Sequence, residues 1–181
     1  MSSLALQQDI GLATLRLATL TGSAFLSGFI FSFSWYGIQS VSYLAPPELL
    51  TQQWRRMYSI GASTAPVLAL ACAGGFGALS YASRQLGNTT RLVTPSMLYG
   101  AAAVLVPTIA PYTILVMRPG ANDELIGMAE KAERGAKGDG VGSEERIGEL
   151  LANWKRMNFV RAVTVAAGTV LGGLATVMLG L

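Results

Sequence analysis

The chain has 181 residues, of which 51% are hydrophobic and only 13% are charged, whereas charged residues make up about 25% of an average soluble domain. It contains no histidine and a single cysteine, Cys72, which excludes a Ser-His-Asp triad, a histidine-ligated haem, most zinc sites and an internal disulfide. The net charge of +3 says little about nucleic acid, because basic residues also flank membrane spans.

The architecture is predicted from four runs that carry no charge. They cover residues 17–47, 57–83, 92–117 and 162–181, and each is long enough to cross a hydrocarbon core about 30 Å thick. We therefore predict an all-α fold, a four-transmembrane-helix bundle formed by a single domain, residues 1–181. The spans are expected at about 17–38, 57–82, 92–117 and 159–181, with an aqueous loop at 118–157.

The first predicted span carries an aromatic stripe, because Phe25, Phe29 and Phe33 recur every four residues. Such a stripe packs against other helices in most proteins, and lining a substrate pocket is the alternative role. The span is too long for a signal-peptide core and lacks a basic cluster before it, so we expect it to be retained.

The second predicted span begins with a polar and aromatic face and continues with small residues. Trp54, Tyr58 and Gly61 have the spacing of one helical face. Further along, Ala73 and Gly77 form a small-xxx-small pair, which indicates close helix packing. Beyond this span Asn88 begins an N-glycosylation pattern, but it is so close to two spans that we expect it to be unused.

The third predicted span contains two prolines one turn apart, Pro107 and Pro111. Each proline removes an intrahelical hydrogen bond and bends the helix. Thr108 and Tyr112 are also four residues apart and share a face beside the prolines. The bend either serves packing alone or shapes a binding face.

The aqueous loop and the fourth span are predicted to form helices after a glycine-rich linker at 135–142. Ser143 is the expected N-cap, and apolar residues then recur with helical spacing at Ile147, Leu150, Leu151, Trp154 and Met157. This pattern predicts an amphipathic helix that lies along the membrane surface and runs into span four. In span four, Gly168 and Gly172 form a second small-xxx-small pair.

The basic residues predict the orientation of the spans. Ten of the thirteen Lys and Arg residues lie in or beside the first and third loops. The positive-inside rule then places these two loops in the cytoplasm and both termini in the lumen.

A polar cluster is predicted where the three later spans meet the third loop. Trp154, Asn158 and Arg161 are spaced i, i+4 and i+7, so an indole, an amide and a guanidinium share one stripe. Arg161 could simply reach for the membrane surface. Alternatively it faces a cavity, as ionisable groups at membrane depth usually do.

A set of residues near the ends of spans two to four occurs in a characteristic order along the chain: Trp54, Tyr58, Gly61, Pro111, Tyr112, Thr113, Met117, Pro119, Asn122, Leu125, Leu151, Trp154, Asn158 and Arg161. In these residues the chain resembles the anthrone oxygenase family of small four-span membrane proteins from fungal polyketide clusters. One difference is that Gly120 and Ala121 separate Pro119 from Asn122, where the family pattern has a single residue.

The resemblance implies a monooxygenase-type oxidoreductase of secondary-metabolite biosynthesis, which converts an aromatic polyketide, an anthrone, to an anthraquinone with molecular oxygen and without metal or other cofactor. An anthrone enolate forms easily and reacts directly with oxygen, so the protein needs an apolar pocket, a base and a group that stabilises the oxyanion.

The residues present permit this chemistry. Arg161 suits the oxyanion, with Asn158 or Asn122 as a hydrogen-bond donor. Candidates for the base are Asp123, Glu124 or a tyrosine hydroxyl, and the sequence does not choose among them. The expected pocket walls are Phe29, Trp54, Tyr58, Thr108, Tyr112 and Trp154.

A non-enzymatic role is the alternative hypothesis. A four-helix membrane scaffold or carrier for a lipophilic metabolite or a partner protein would use the small residues of the spans equally well. Clustering of the polar residues toward one end favours the enzyme, for which we expect the endoplasmic reticulum or a related endomembrane. A homo-oligomer is compatible with either role.

Overall fold

A computed structural model describes residues 3–42, 45–85 and 92–180, and within these residues the chain is helical without a β-strand. Span 1 consists of α1 (Ser3–Ser32), a π-helical turn (Phe33–Gly37) and α2 (Ile38–Ser42), and span 2 is α3 (Pro47–Gln85). Span 3 comprises α4 (Pro95–Leu105), a 3₁₀ turn (Val106–Thr108), α5 (Ile109–Tyr112), a π-helix (Thr113–Asn122) and α6 (Asp123–Glu133). After a 3₁₀ turn (Gly138–Gly140), span 4 is α7 (Glu144–Met178).

These described helices include four that are long and apolar enough to cross a membrane, which confirms the predicted all-α class of multi-pass membrane protein. The helices extend past the predicted spans, because the edge of an apolar run does not by itself end a helix. Asn88 lies outside the described residues.

Two helix starts follow from capping residues. Thr94 accepts a hydrogen bond from the backbone N–H of Met97, and Pro95 occupies the first turn of α4. Ser143 accepts one from the backbone N–H of Arg146, so the predicted N-cap of span 4 is confirmed.

The amphipathic segment before span four is helical, as predicted, but its apolar face is covered by protein. It forms the first turns of α7, the same continuous helix as the span. Ile147, Leu150, Leu151 and Trp154 are buried in a core with residues of spans 2 and 3. The segment therefore differs from the expectation of a helix lying along the membrane surface, because its apolar side chains are taken up by this core.

Span 3 departs from regular α-helix where the prolines predict a bend. The 3₁₀ turn includes Pro107, and the π-helix begins just after Pro111 and includes Pro119. The hydroxyl of Thr108 donates to the carbonyl of Leu105 at 2.6 Å, which satisfies one backbone acceptor beside the first proline.

The chain divides into two compact units, each containing a segment of all four spans. Unit 1 comprises the described parts of residues 1–27, 66–109 and 163–181, and unit 2 comprises those of 28–65 and 110–162. That the whole chain is one domain stays a prediction.

Unit 1 is held together by close helix contacts and hydroxyl groups. A Cβ added at Gly168 would lie 2.7 Å from Val106, and one added at Gly172 would collide with the ring of Phe76. The predicted Gly168–Gly172 packing pair is therefore confirmed. At Gly77 a Cβ would meet nothing within 4 Å, so the corresponding prediction for Ala73 and Gly77 is wrong at Gly77.

Hydrogen bonds between hydroxyl groups join the same helices in unit 1. Thr169 of span 4 donates to Ser23 of span 1 at 3.0 Å, and the hydroxyls of Tyr99 and Thr176 are 2.7 Å apart. Small side chains and interhelical hydroxyl bonds are the usual means by which helices associate without water.

We expect Gly172→Ala to destabilise the protein and Gly173→Ala to leave it unchanged. The added methyl at Gly172 would overlap the Phe76 ring, whereas a Cβ at Gly173 meets nothing within 4 Å. Overpacking of this kind costs about 1–3 kcal/mol. Thermal unfolding in detergent, compared between the two variants, measures the difference, and equal melting temperatures would contradict the packing described here.

Candidate active site

Four aromatic side chains predicted to bind substrate come together in unit 2, and we call them the aromatic cluster: Trp54, Tyr58, Tyr112 and Trp154. Both indoles belong to the buried core of the unit, and both tyrosines are partly buried against it. The Trp54 ring stacks on Tyr58 with centroids 5.2 Å apart and meets the edge of Trp154 at 6.0 Å. Spans 2, 3 and 4 thus each contribute to one aromatic surface.

Arg161 is held in place by Asn158, one turn earlier on α7. Its Nη1 donates to the amide oxygen of Asn158 at 3.0 Å. The amide nitrogen of Asn158 donates in turn to the carbonyl of Ile30 and to the hydroxyl of Ser34, both at 2.9 Å. Because the amide nitrogen already has two acceptors, Asn158 orients Arg161 and fastens span 4 to span 1.

Arg161 has no carboxylate partner among the described residues, in contrast to three other arginines of unit 2. Arg55, Arg118 and Arg146 all form ion pairs with Asp or Glu at the exposed end of the unit. Arg161 instead has Nη1 4.0 Å from the sulfur of Met117, a fully buried residue of the π-helix. Tyr58 and Tyr112 are the titratable groups that interact electrostatically with it. The guanidinium charge is therefore available to an anionic ligand.

Several polar atoms of unit 2 are buried without a hydrogen-bond partner in the described structure. They are the indole nitrogens of Trp54 and Trp154, the Nε of Arg161, both amide atoms of Asn122 and the side-chain oxygen of Gln53. Buried polar groups are nearly always paired, and an exception calls for a ligand, a water or a functional role. Four of these six atoms are N–H donors, so the arrangement is suited to a ligand that offers oxygen acceptors.

Asn122 lies at the last position of the π-helix and is fully buried. A π-helix closes i→i+5 hydrogen bonds and takes one more residue per turn than an α-helix takes, as the bond from Asp123 N–H to the Arg118 carbonyl shows. The segment thereby accommodates both Gly120 and Ala121 between Pro119 and Asn122, and the amide still faces the interior. π-Helical segments occur frequently at functional sites.

The two acidic candidates for the base point away from this interior. Asp123 is exposed and accepts a hydrogen bond from Arg118 Nε at 3.0 Å. Glu124 is exposed and accepts from both Nε and Nη2 of Arg146 at 2.8 and 2.7 Å. Each carboxylate forms an ion pair with an arginine at the surface of unit 2.

Two other residues predicted to line the pocket, Phe29 and Thr108, have other contacts. Phe29 is half-buried, and its ring meets the edge of the Phe33 ring with centroids 4.8 Å apart. Phe33, in turn, packs against the buried core of unit 2. Thr108 belongs to unit 1, where its hydroxyl bonds to its own helix. For Phe29 and Thr108 a role in the site stays a prediction.

A family model for anthrone oxygenase matches residues 54–171, more than half of the chain. The chain belongs to the anthrone oxygenase family. The matched region begins at Trp54 and includes the whole aromatic cluster together with Asn122, Asn158 and Arg161. Family membership therefore extends over the residues that the structure gathers in unit 2.

Individual members of the anthrone oxygenase family are similar over most of their length. An anthrone oxygenase of Aspergillus fumigatus is 30% identical over 171 residues, which cover 87% of this chain and 90% of the relative. Those of Claviceps purpurea and Paecilomyces divaricatus are 31% and 33% identical, each over 87% of this chain and over 85% and 91% of their own lengths. No solved structure matches the chain.

Sequence reasoning missed two residues of span 1 that fix the position of Asn158 and so of Arg161. Ser34 and the carbonyl of Ile30 accept the hydrogen bonds of Asn158. Ser34 is 1% exposed and lies in the π-helical turn Phe33–Gly37. The available signal was a serine inside an apolar, aromatic run. Serine in a membrane helix usually bonds to the backbone of its own helix, so the sequence did not distinguish that case from a bond to another span.

We expect Asn158→Leu to lower stability by about 1–3 kcal/mol, because Arg161, Ser34 and the carbonyl of Ile30 would each lose a hydrogen bond to Asn158. Asn153→Leu is the matched control, since Asn153 lies on the same helix and is exposed. Chemical or thermal unfolding in detergent measures both variants. If the two substitutions have the same effect, the link between spans 1 and 4 is not made by Asn158.

Proposed function

We propose that this protein oxidises an anthrone to an anthraquinone with molecular oxygen, using no metal and no organic cofactor. The observation that carries the proposal is a guanidinium, Arg161, held by an amide beside the aromatic cluster and without a carboxylate partner in the described residues. The names of the relatives, anthrone oxygenases, support the same reaction.

The reaction balances without an external reductant. A base removes a proton from the methylene carbon of the anthrone, and the resulting enolate gives its electrons to oxygen at that carbon. One oxygen atom becomes the new carbonyl of the quinone, and the other leaves as water with the two methylene hydrogens. The demand on the protein is to bind a planar aromatic molecule and stabilise the enolate oxygen.

Arg161 is the residue proposed to face that oxygen. Its charge is fixed at any cellular pH and its planar group presents several donors. The apolar surroundings, including the buried Met117, strengthen the attraction between the guanidinium and a developing oxyanion relative to water. Asn122 is the proposed second donor, because its amide is buried and unpartnered, whereas Asn158 acts as a positioning residue.

The base is proposed to be the hydroxyl of Tyr58 or Tyr112 rather than Asp123 or Glu124. Both tyrosines are partly buried against the core of unit 2 and are close enough to Arg161 to interact with it electrostatically. Both carboxylates are paired to surface arginines. The deprotonated hydroxyl of either tyrosine would accept the proton of the anthrone within the aromatic cluster. It would do so close to Arg161, which is proposed to stabilise the enolate that this proton transfer produces.

The cellular setting is also proposed. A multi-pass protein with basic first and third loops is consistent with the endoplasmic reticulum or a related endomembrane, with these loops in the cytoplasm. A membrane position lets the enzyme take a poorly water-soluble aromatic substrate near the lipid surface. Bound lipid and a homo-oligomer remain compatible with the exposed apolar faces of the spans.

We expect Arg161→Leu to reduce quinone formation by about 10²-fold or more while the protein still inserts, and Arg161→Lys to retain part of the activity. Lysine keeps the charge but not the planar set of donors. Conversion in isolated membranes is measured above the spontaneous oxidation in air and normalised to protein level. Arg56→Leu removes an exposed arginine of span 2 and serves as the control. Wild-type conversion by Arg161→Leu would show that Arg161 is only an anchor.

We also expect either Tyr58→Phe or Tyr112→Phe to lower kcat by about 10²–10⁴-fold, the usual contribution of a general base. The residual activity of that variant should rise with pH, because the substrate then ionises without help. Tyr36→Phe, at an exposed tyrosine, is the control. If both single variants keep the wild-type rate and pH profile, neither tyrosine acts as the base.

A further inference from the structure

A groove opens at the end of unit 2 where spans 2 and 4 begin. Its volume is about 550 Å³, within the range of small-molecule sites. One wall comes from the start of span 2 and the other from the first turns of α7: Ala45, Pro46, Pro47, Leu50, Glu144, Ile147, Gly148 and Leu151. Glu144 is the one charged residue of this lining, and the other side chains in it are apolar.

The groove and the two indoles of the aromatic cluster lie on the same faces of α3 and α7. Leu50 precedes Trp54 by one turn of α3, and Leu151 precedes Trp154 by three residues of α7, so each pair shares a helical face. The two indoles that follow are in contact with each other, and their N–H groups are buried without a partner. Unsatisfied donors therefore lie about one turn below the groove.

The position of the groove excludes a lipid acyl chain as its natural occupant. On span 2 its residues precede Arg55 and Arg56, and on span 4 they precede Lys155 and Arg156. Basic side chains of this kind mark the water boundary of a span. The groove is thus on the aqueous side of the basic residues, and the Arg161 guanidinium lies on their membrane side.

Size and charge favour a neutral, planar aromatic molecule. A tricyclic ring system fits within 550 Å³ and would be covered by proline, leucine and isoleucine side chains. Glu144 at the groove disfavours an anion, so the ketone form of an anthrone would enter more readily than its enolate. Ionisation would then follow beside Arg161, about 20 Å further along α7 from Gly148 at 1.5 Å per residue.

We propose that this groove is the entrance through which the anthrone passes from the aqueous side to the aromatic cluster. The assignment rests on the proposed oxidation of an anthrone, and it adds a route and a residue, Gly148, that controls it. A side chain introduced at Gly148 would project into free space, since a Cβ there meets nothing within 4 Å. A methyl group at Gly148 therefore meets no clash, and larger side chains begin their course from open space.

The test is a series at Gly148 in the full-length protein: Ala, Leu and Trp. We expect kcat/KM to fall with side-chain size, by about tenfold or more for Gly148→Trp, while kcat at saturating anthrone changes less, because an obstructed entrance acts before the chemical step. Gly148→Ala should be fully active, and alanine suits a helix better than glycine does. Gly127→Trp is the matched control, since Gly127 also lies in a helix of unit 2 with nothing within 4 Å of its Cβ.

The outcomes separate this inference from the proposed function. A wild-type protein that oxidises anthrone no faster than air contradicts the function itself. An active wild type with an equally efficient Gly148→Trp variant overturns the entrance alone. Equal losses in Gly148→Trp and Gly127→Trp also overturn it, because the effect would then not depend on the groove.

A labelling experiment addresses the groove without relying on turnover. Gly148→Cys should react with a maleimide, and added anthraquinone should slow that reaction because it occupies the groove. Gly140→Cys, in the exposed 3₁₀ turn, is the control and should be unaffected, while the native Cys72 is buried. Equal protection at both positions, or at neither, would contradict the assignment.

Discussion

The constraint on which unit 2 depends is an arginine, Arg161, in an apolar environment and with no carboxylate partner in the part of the chain that the structure describes. Burying a charge is costly unless its donors are paired, and here one amide, Asn158, accepts from Arg161 and donates to two groups of span 1. Replacing that amide by a carboxylate would neutralise the guanidinium and remove its attraction for an anionic ligand. A neutral acceptor such as the Asn158 amide holds the Arg161 guanidinium in place without neutralising its charge.

The two units show different ways of joining helices. In unit 1 glycines and hydroxyls bring helices close together, and the Gly168–Gly172 pair of span 4 serves helix packing there. In unit 2 two indoles and two methionines pack with aliphatic side chains in the core, and ion pairs at the exposed end of the unit connect spans 2, 3 and 4. Exposed ion pairs contribute little stability each, so burial of this apolar core provides most of the stabilisation. Such a core can admit a flat aromatic ligand among similar rings.

Much of this arrangement could be predicted from the sequence, and the failures have physical causes. The charge-free runs predicted four helices, the Trp154–Asn158–Arg161 spacing predicted their shared face, and the proline pair predicted the irregular part of span 3. The direction of Asp123 and Glu124 could not be read from the chain, because it depends on Arg118 and Arg146, which are exposed and could have remained unpaired. Ser34 was missed because its partner is 124 positions away in sequence and no local pattern reports such a bond.

The π-helix of span 3 gives the chain a tolerance in length that the helix after it lacks. Met117, Ala121, Asn122 and Leu125 are all buried, so one face stays inward although the π-helix winds more widely than α6 does. Losing one residue between Thr113 and Asn122 would be absorbed by a return toward α-helical winding, and α6 would keep its orientation. Losing one residue at the start of α6 would instead rotate the positions after it by about 100° about the helix axis and turn Ala129 and Ala132 out of the core. The acidic end of span 3 therefore depends on an exact residue count only after Asn122.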